Sequence, residues 1–205
     1  MTVTFFRNIK SPNEPHYVDS HEAFIRIRDG KSRYQIEEYR ATDDKKLKNS
    51  LPLVCFSGEF SRRADDALIT HSGLIVLDFD HVNIEESKAF IGADEYVYAC
   101  WVSPSGDGLK AIVKITNAER HRDHFRALKT YFFKQYNLEV DESGINESRA
   151  CYESYDPEIV INQDSKKFGA FASEKSESQV AQVEGHYTDY YRLNLAAKMI
   201  RNAAD

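Results

Sequence analysis

The segment Leu74-Ile75-Val76-Leu77-Asp78-Phe79 constrains the fold more than any other stretch of the chain. Its apolar character is nearly continuous rather than alternating, which is how a strand covered on both faces reads. Leu51 to Phe56 is a second such run, bounded by Pro52 and Gly58. A chain with strands of this kind needs packed layers on both sides of a central sheet, and helices are the expected cover.

The remaining elements are placed by periodicity and turn residues. Residues 2–7 read as a first strand and Ser20 to Asp29 as a short helix opened by a Ser cap, with Lys31 to Arg40 a less distinct second helix. Glu59 to Asp66 is polar and reads as a turn or the start of a helix. Beyond Asp80 the pattern predicts a helix over Ile84 to Ile91, then strands over Tyr96 to Val102 and Leu109 to Ile115 joined by the turn Ser103 to Gly108. Glu119 to Tyr136 carries Phe125, Leu128, Tyr131, Phe132 and Tyr136 at helical spacing, and a final strand pair fits Arg149 to Ser154 and Glu158 to Ile161. From residue 74 the order is strand, helix, hairpin, helix, strand, an α+β plan related to the ferredoxin-like split βαβ unit with its helices on one face.

The chain has 205 residues, more than a usual single domain of roughly 100 to 150, so one main domain with an appendage is expected. Gln163 to Gly185 is rich in Ser, Lys, Glu and Gln and reads as a solvated linker over 163–186. Helical spacing resumes through Tyr191, Leu195 and Ile200, so 187–205 reads as the start of a helical segment that continues into a helicase or another domain. Cys55, Cys100 and Cys151 are an odd number at wide spacing, which fits neither a disulfide framework nor a zinc site and reads as buried thiols in a reducing compartment. No apolar run approaches the roughly 20 residues of a membrane span, and a cytoplasmic protein without membrane contact is expected. A net charge of −6 argues against holding nucleic acid by bulk positive field, so any such contact must be a local patch.

Three constellations carry chemistry. Asp78 and Asp80 flank Phe79 at a strand end, so the pleat points both carboxylates to one side, about 7 Å apart along the chain. Carboxylate pairs suit hard cations such as Mg²⁺ and Mn²⁺, and two ions about 4 Å apart can serve phosphoryl transfer. Ser103-Pro104-Ser105-Gly106-Asp107-Gly108-Leu109-Lys110 joins a glycine-bearing turn, whose N–H groups and hydroxyls can face phosphate, to a lysine point charge. Asp141 follows the long helix and Arg149 precedes a strand, adding an acid and a guanidinium able to fork onto triphosphate. Taken singly these are a strand running into a loop, a hairpin turn and a surface ion pair; their arrival in order is what points to one site.

Asp78-Phe79-Asp80, the Ser103 to Lys110 turn, and Asp141 with Arg149 together resemble the archaeo-eukaryotic primase superfamily, in its primase-polymerase branch. Leu51 to Asn162, with Phe56-Ser57-Gly58 and Tyr155-Asp156-Pro157, is similar to VirE N-terminal-type domains of mobile-element replication proteins. The resemblance implies an α+β fold with an RRM-like catalytic sheet over 61–162 and an N-terminal α/β unit over 1–60. It implies Asp78, Asp80 and Asp141 as catalytic ligands of two Mg²⁺ or Mn²⁺ ions, with Ser103, Ser105, Gly108, Lys110 and Arg149 on the nucleotide. The implied reaction joins NTP or dNTP to a strand on a single-stranded DNA template. At Lys110 the chain departs from members that place a His on the phosphates; Lys keeps the charge without the imidazole's proton chemistry.

Arg26, Arg28, Lys31, Arg33 and Arg40 precede a basic group, Lys45, Lys46 and Lys48, that is a candidate contact for a template backbone or a solvated helix face. Two other classes of function stay open on the residues alone. One is a nucleotide- or single-strand-binding module of a larger replication or integration protein; the other is a two-metal nuclease, which the phosphate-facing turn and Lys110 disfavour.

Overall fold

The computed structural model of the chain describes residues 1–172. In chain order its elements are β1 (Thr2–Phe6), β2 (His16–Asp19), α1 (Ser20–Arg28), α2 (Arg33–Thr42), α3 (Lys45–Ser50), β3 (Leu53–Cys55), β4 (Gly58–Phe60), β5 (Leu68–His71), β6 (Leu74–Phe79), α4 (Ile84–Gly92), β7 (Val97–Val102), β8 (Leu109–Lys114), α5 (His121–Tyr136), β9 (Cys151–Tyr152) and β10 (Val160–Ile161). The strands form one sheet in the order β2-β1-β3-β9, a second in the order β10-β7-β8-β6, and the small pair β4-β5. Every pairing between these strands is antiparallel, and the fold is mixed α+β, as its sequence pattern requires.

In the second sheet, β8 pairs with both β6 and β7, so α4 joins two strands that run the same way with a third between them. This is the split βαβ arrangement. Its closing strand β10 joins at β7 and leaves β6 at the edge. That edge is met by the segment after α5, where the Asp141 N–H donates to the Asp78 carbonyl at 2.9 Å.

Alternation along β6 divides the core in two. Ile75, Leu77 and Phe79 pack with Ile91 of α4 and with Phe125, Leu128 and Phe132 of α5. Leu74 and Val76, with Ala99, Trp101 and Ile112 of the neighbouring strands, pack against Val3, Val54 and Phe56 of the first sheet region and against Phe24 and Ile27 of α1. Helices α4 and α5 cover one face; the other is covered by the first sheet together with α1, which corrects the expectation of a helical cover throughout. A continuous apolar run states that both faces are buried and is silent on what buries them.

Other elements were not legible. β2 is mostly exposed and α3 buries no residue, so neither shows an apolar pattern. The segment 59–66, read as a polar turn or helix start, opens with the last two residues of β4, paired with β5, and then bends into a 3₁₀ turn over Asp65–Ala67. The cap of α1 is Asp19, whose Oδ1 accepts the His21 N–H at 2.8 Å, while Ser20 lies buried inside the first turn.

The expected final strand pair does not form. β9 pairs with β3 and β10 with β7, so one stretch of chain passes from the first sheet to the second and stitches the halves together. Residues 163–172, expected within a linker, lie along the helical layer. Phe168 is 4% exposed, the Thr116 N–H donates to its carbonyl at 3.1 Å, and Lys166 pairs with Glu95 at 2.6 Å. The expected helix over 187–205 lies outside the described residues. Cys55, Cys100 and Cys151 are free and buried, as their apolar settings predict. No helix among the described residues is long and apolar enough to cross a membrane.

Candidate functional site

β6 and β8 are in register with Asp78 opposite Lys110, and alternation puts both side chains on the face that meets the first sheet. They are 4% and 8% exposed, at the strand end where the apolar filling stops. Lys110 Nζ is bonded to Asp78 Oδ1. Arg149, from the segment that leads into β9, donates through Nη2 to Asp78 Oδ2 at 2.8 Å and to Asp141 Oδ2 at 3.1 Å. One buried carboxylate thus holds two cations, which is how a buried charge is tolerated. Asp141 caps a short 3₁₀ turn over Glu142–Ile145, accepting the Ser143 N–H at 2.9 Å and the Ser143 hydroxyl.

The electrostatics follow from this packing. Burial pushes the Asp78 carboxyl up, but Lys110 and Arg149 outweigh it and hold it below the ordinary carboxylate value. Burial lowers Lys110, and the Asp78 charge more than restores it, leaving it raised. Arg149 is raised in the same way, against its own burial. Asp141 is raised by burial and lowered further by its Ser143 bonds and by Arg149. All four groups are therefore ionised at neutral pH.

Asp80 lies one residue past β6 and is exposed, with its backbone against Gly108. A Cβ on Gly108 would stand 2.5 Å from the Phe79 carbonyl, so glycine is what lets the turn close against the end of β6. Of the basic group on α3, Lys48 faces this site. Burial lowers its pKa and so does Lys110, while Asp80 and Asp78 offset them. Lys45 instead pairs with Asp43 at 2.8 Å, and Lys46 is exposed.

The turn between β7 and β8 reaches the same end of the sheet. Within it the Ser103 N–H donates to the Gly108 carbonyl at 2.8 Å and the Gly106 N–H to the Ser103 carbonyl at 3.1 Å. The Ser103 and Ser105 hydroxyls are 2.9 Å apart, and Ser105 also donates to Asp107. Arg40 of α2 holds this turn from behind: it donates to the carbonyls of Ser103 at 3.0 Å, Pro104 at 3.3 Å and Tyr155 at 3.1 Å. Gly106 makes room for it, since a Cβ there would lie 3.3 Å from Arg40 Nε. Arg40 was read as one of a basic stretch; no local signal separates it from Arg33 or Lys31, because its three partners are 63 to 115 residues away.

The fold therefore gathers Asp78, Asp141, Lys110 and Arg149 into one bonded cluster, with Asp80 and Lys48 beside it and the Ser103 to Gly108 turn at the same sheet end. In donor chemistry the three carboxylates suit Mg²⁺ or Mn²⁺. As the cluster is bonded, Asp78 is not free to take one. Both Asp78 oxygens are held by cations, and among the described residues no group of three or more His, Cys, Asp or Glu side chains is set to hold a metal ion.

A two-sheet α+β domain with an acid-base cluster at one end of the sandwich is the class that fold and site define. The family described as BT4734-like, N-terminal domain, matches residues 46–160, more than half of the chain, and the chain belongs to that family. The matched span runs from α3 to β10 and contains Lys46, Lys48 and all eight of the catalytic and nucleotide residues read from the sequence. No curated protein and no solved structure matches the chain.

Proposed function

We propose that this domain binds the triphosphate of an NTP or dNTP through Lys110 and Arg149, in a primase-polymerase-like site on an RRM-like sheet, and serves template-dependent nucleotidyl transfer on single-stranded DNA. The observation that carries the reading is the convergence of Lys110, Arg149, Asp78 and Asp141, from three separate stretches of chain, on one partly buried cluster. The split βαβ order of β6, α4, β7 and β8 supports it, as does the turn at the same sheet end.

Lys110 offers a compact charge and Arg149 a planar fork, and these complement a polyphosphate with several anionic oxygens. Lys48 adds positive charge at the rim. The low-dielectric wall formed by the inter-sheet core strengthens each of these attractions. Mg²⁺ or Mn²⁺, when bound, would supply charge neutralisation at the reacting phosphate. Asp80 is the acid with open access.

A second reading, a nucleotide- or strand-binding module without transfer, is favoured by one observation: both Asp78 oxygens are already engaged. The two readings part in a single assay. The full chain is incubated with Mg²⁺ or Mn²⁺, labelled NTPs or dNTPs and a single-stranded template, with and without primer, beside Asp80→Ala, an exposed change that spares the cluster. Extension lost in Asp80→Ala supports transfer. Nucleotide binding without extension supports the module, and absence of both sinks the proposal.

A further inference from the structure

We infer that Lys110 and Arg149 are resident counter-ions of Asp78, so that a polyphosphate must draw them away before a divalent cation can take that carboxylate. The inference rests on the nucleotide reading for the identity of the polyphosphate, and the disagreement between the acid set and a metal site is its starting point. Lys110 meets Asp78 Oδ1 and Arg149 meets Oδ2 at 2.8 Å, so each oxygen already carries a cationic partner that repels an incoming divalent ion. Asp141 is likewise engaged, by Arg149 at 3.1 Å and by Ser143. Asp80 is exposed at the mouth.

Direct entry of a divalent cation at Asp78 would leave Lys110, 8% exposed, without its partner. Stranding a buried charge is the costly way to break such a pair. A polyphosphate changes the exchange. Its oxygens replace Asp78 as partners of Lys110 and Arg149, Asp78 is released to a cation, and no charge is left buried alone. Metal and nucleotide then enter as one event. A free divalent cation finds only the exposed carboxylate.

Trp101 is a built-in reporter. It is the only tryptophan of the chain, fully buried, and stands opposite Lys110 in the β7–β8 register. Displacement of the ammonium changes the field and packing at its indole.

The full chain is titrated with Mn²⁺ alone, followed by electron paramagnetic resonance. Lys110→Met is expected to bind Mn²⁺ about tenfold or more tightly than the original chain, and adding Asp78→Asn removes the gain. Arg149→Gln, at a less buried position, is the second variant and is expected to move affinity in the same direction. In parallel, inorganic tripolyphosphate is added under EDTA and Trp101 emission is read; a change in the original chain, absent in Lys110→Met, is expected. Unchanged Mn²⁺ affinity in folded Lys110→Met and Arg149→Gln overturns the counter-ion role, even where the tripolyphosphate response leaves the nucleotide reading standing. A gain in Mn²⁺ affinity with no response to tripolyphosphate or nucleotide keeps the counter-ion role and rejects both polyphosphate release and the nucleotide reading.

Discussion

Arg40 shows how much one side chain can organise. Its guanidinium reaches three carbonyls from two segments, those of Ser103 and Pro104 in the turn and that of Tyr155 between β9 and β10. Burial lowers its pKa, with Asp156 the main offset, yet an arginine stays charged. Arg40→Ala removes these bonds and frees the turn, so on the proposed nucleotide reading affinity is expected to fall about tenfold, about 1.4 kcal/mol. Arg40→Lys, whose ammonium cannot span the same fork, is expected to restore only part. Isothermal titration with nucleotide checks this, and unchanged affinity in Arg40→Ala would separate the turn from the binding site. At this scale the acids were readable because strand alternation is local. Arg40 and Lys48 were not, because their neighbours come from elsewhere in the chain.

At the scale of elements, the junction of β6 with the β7–β8 turn is the tightest point beside the site. Gly108 leaves no room for a side chain, since a Cβ would come within 2.5 Å of the Phe79 carbonyl. Gly108→Ala therefore forces β8 away from β6 just where Lys110 must meet Asp78. A loss of about 2 to 4 kcal/mol in urea unfolding is expected, and on the proposed reading weaker nucleotide binding in the protein that remains folded. A stability equal to the original would show that the turn closes otherwise. α5 was legible because Phe125, Leu128 and Phe132 fall on one helical stripe. β9 and β10 were read as strands, and their pairing was not, because two residues of strand carry no information about which sheet receives them.

At the scale of the molecule, a histidine pair joins β5 to α5. The Gly73 N–H donates to His71 Nδ1 at 2.8 Å, which leaves His71 Nε2 to donate to His121 Nδ1 at 2.9 Å. Burial pulls His71 down to about 4. His121 is pulled down to about 3, by burial first and then by His71, Arg122 and His124. Both folded values lie below the 6.5 of the unfolded chain, so on acidification the unfolded state takes up protons first. Stability is full above pH 6.5 and declines as pH falls toward 4. Melting temperatures measured between pH 7.5 and 4.5 are expected to drop, and to drop less in His71→Gln/His121→Gln; equal slopes for the two proteins would remove the pair as the cause.

The sequence by itself determined what depends on near neighbours. It placed the carboxylates at the end of β6, the glycine turn before Lys110, the apolar stripe of α5 and the three buried thiols. Only the tertiary structure decided that the far face of the second sheet is covered by another sheet, that β9 and β10 stitch the two sheets together, and that Arg149 and Lys110 share Asp78. Alternation and helical period are written in residues a few positions apart, whereas the partner of a buried charge is chosen by the closure of loops tens of residues long.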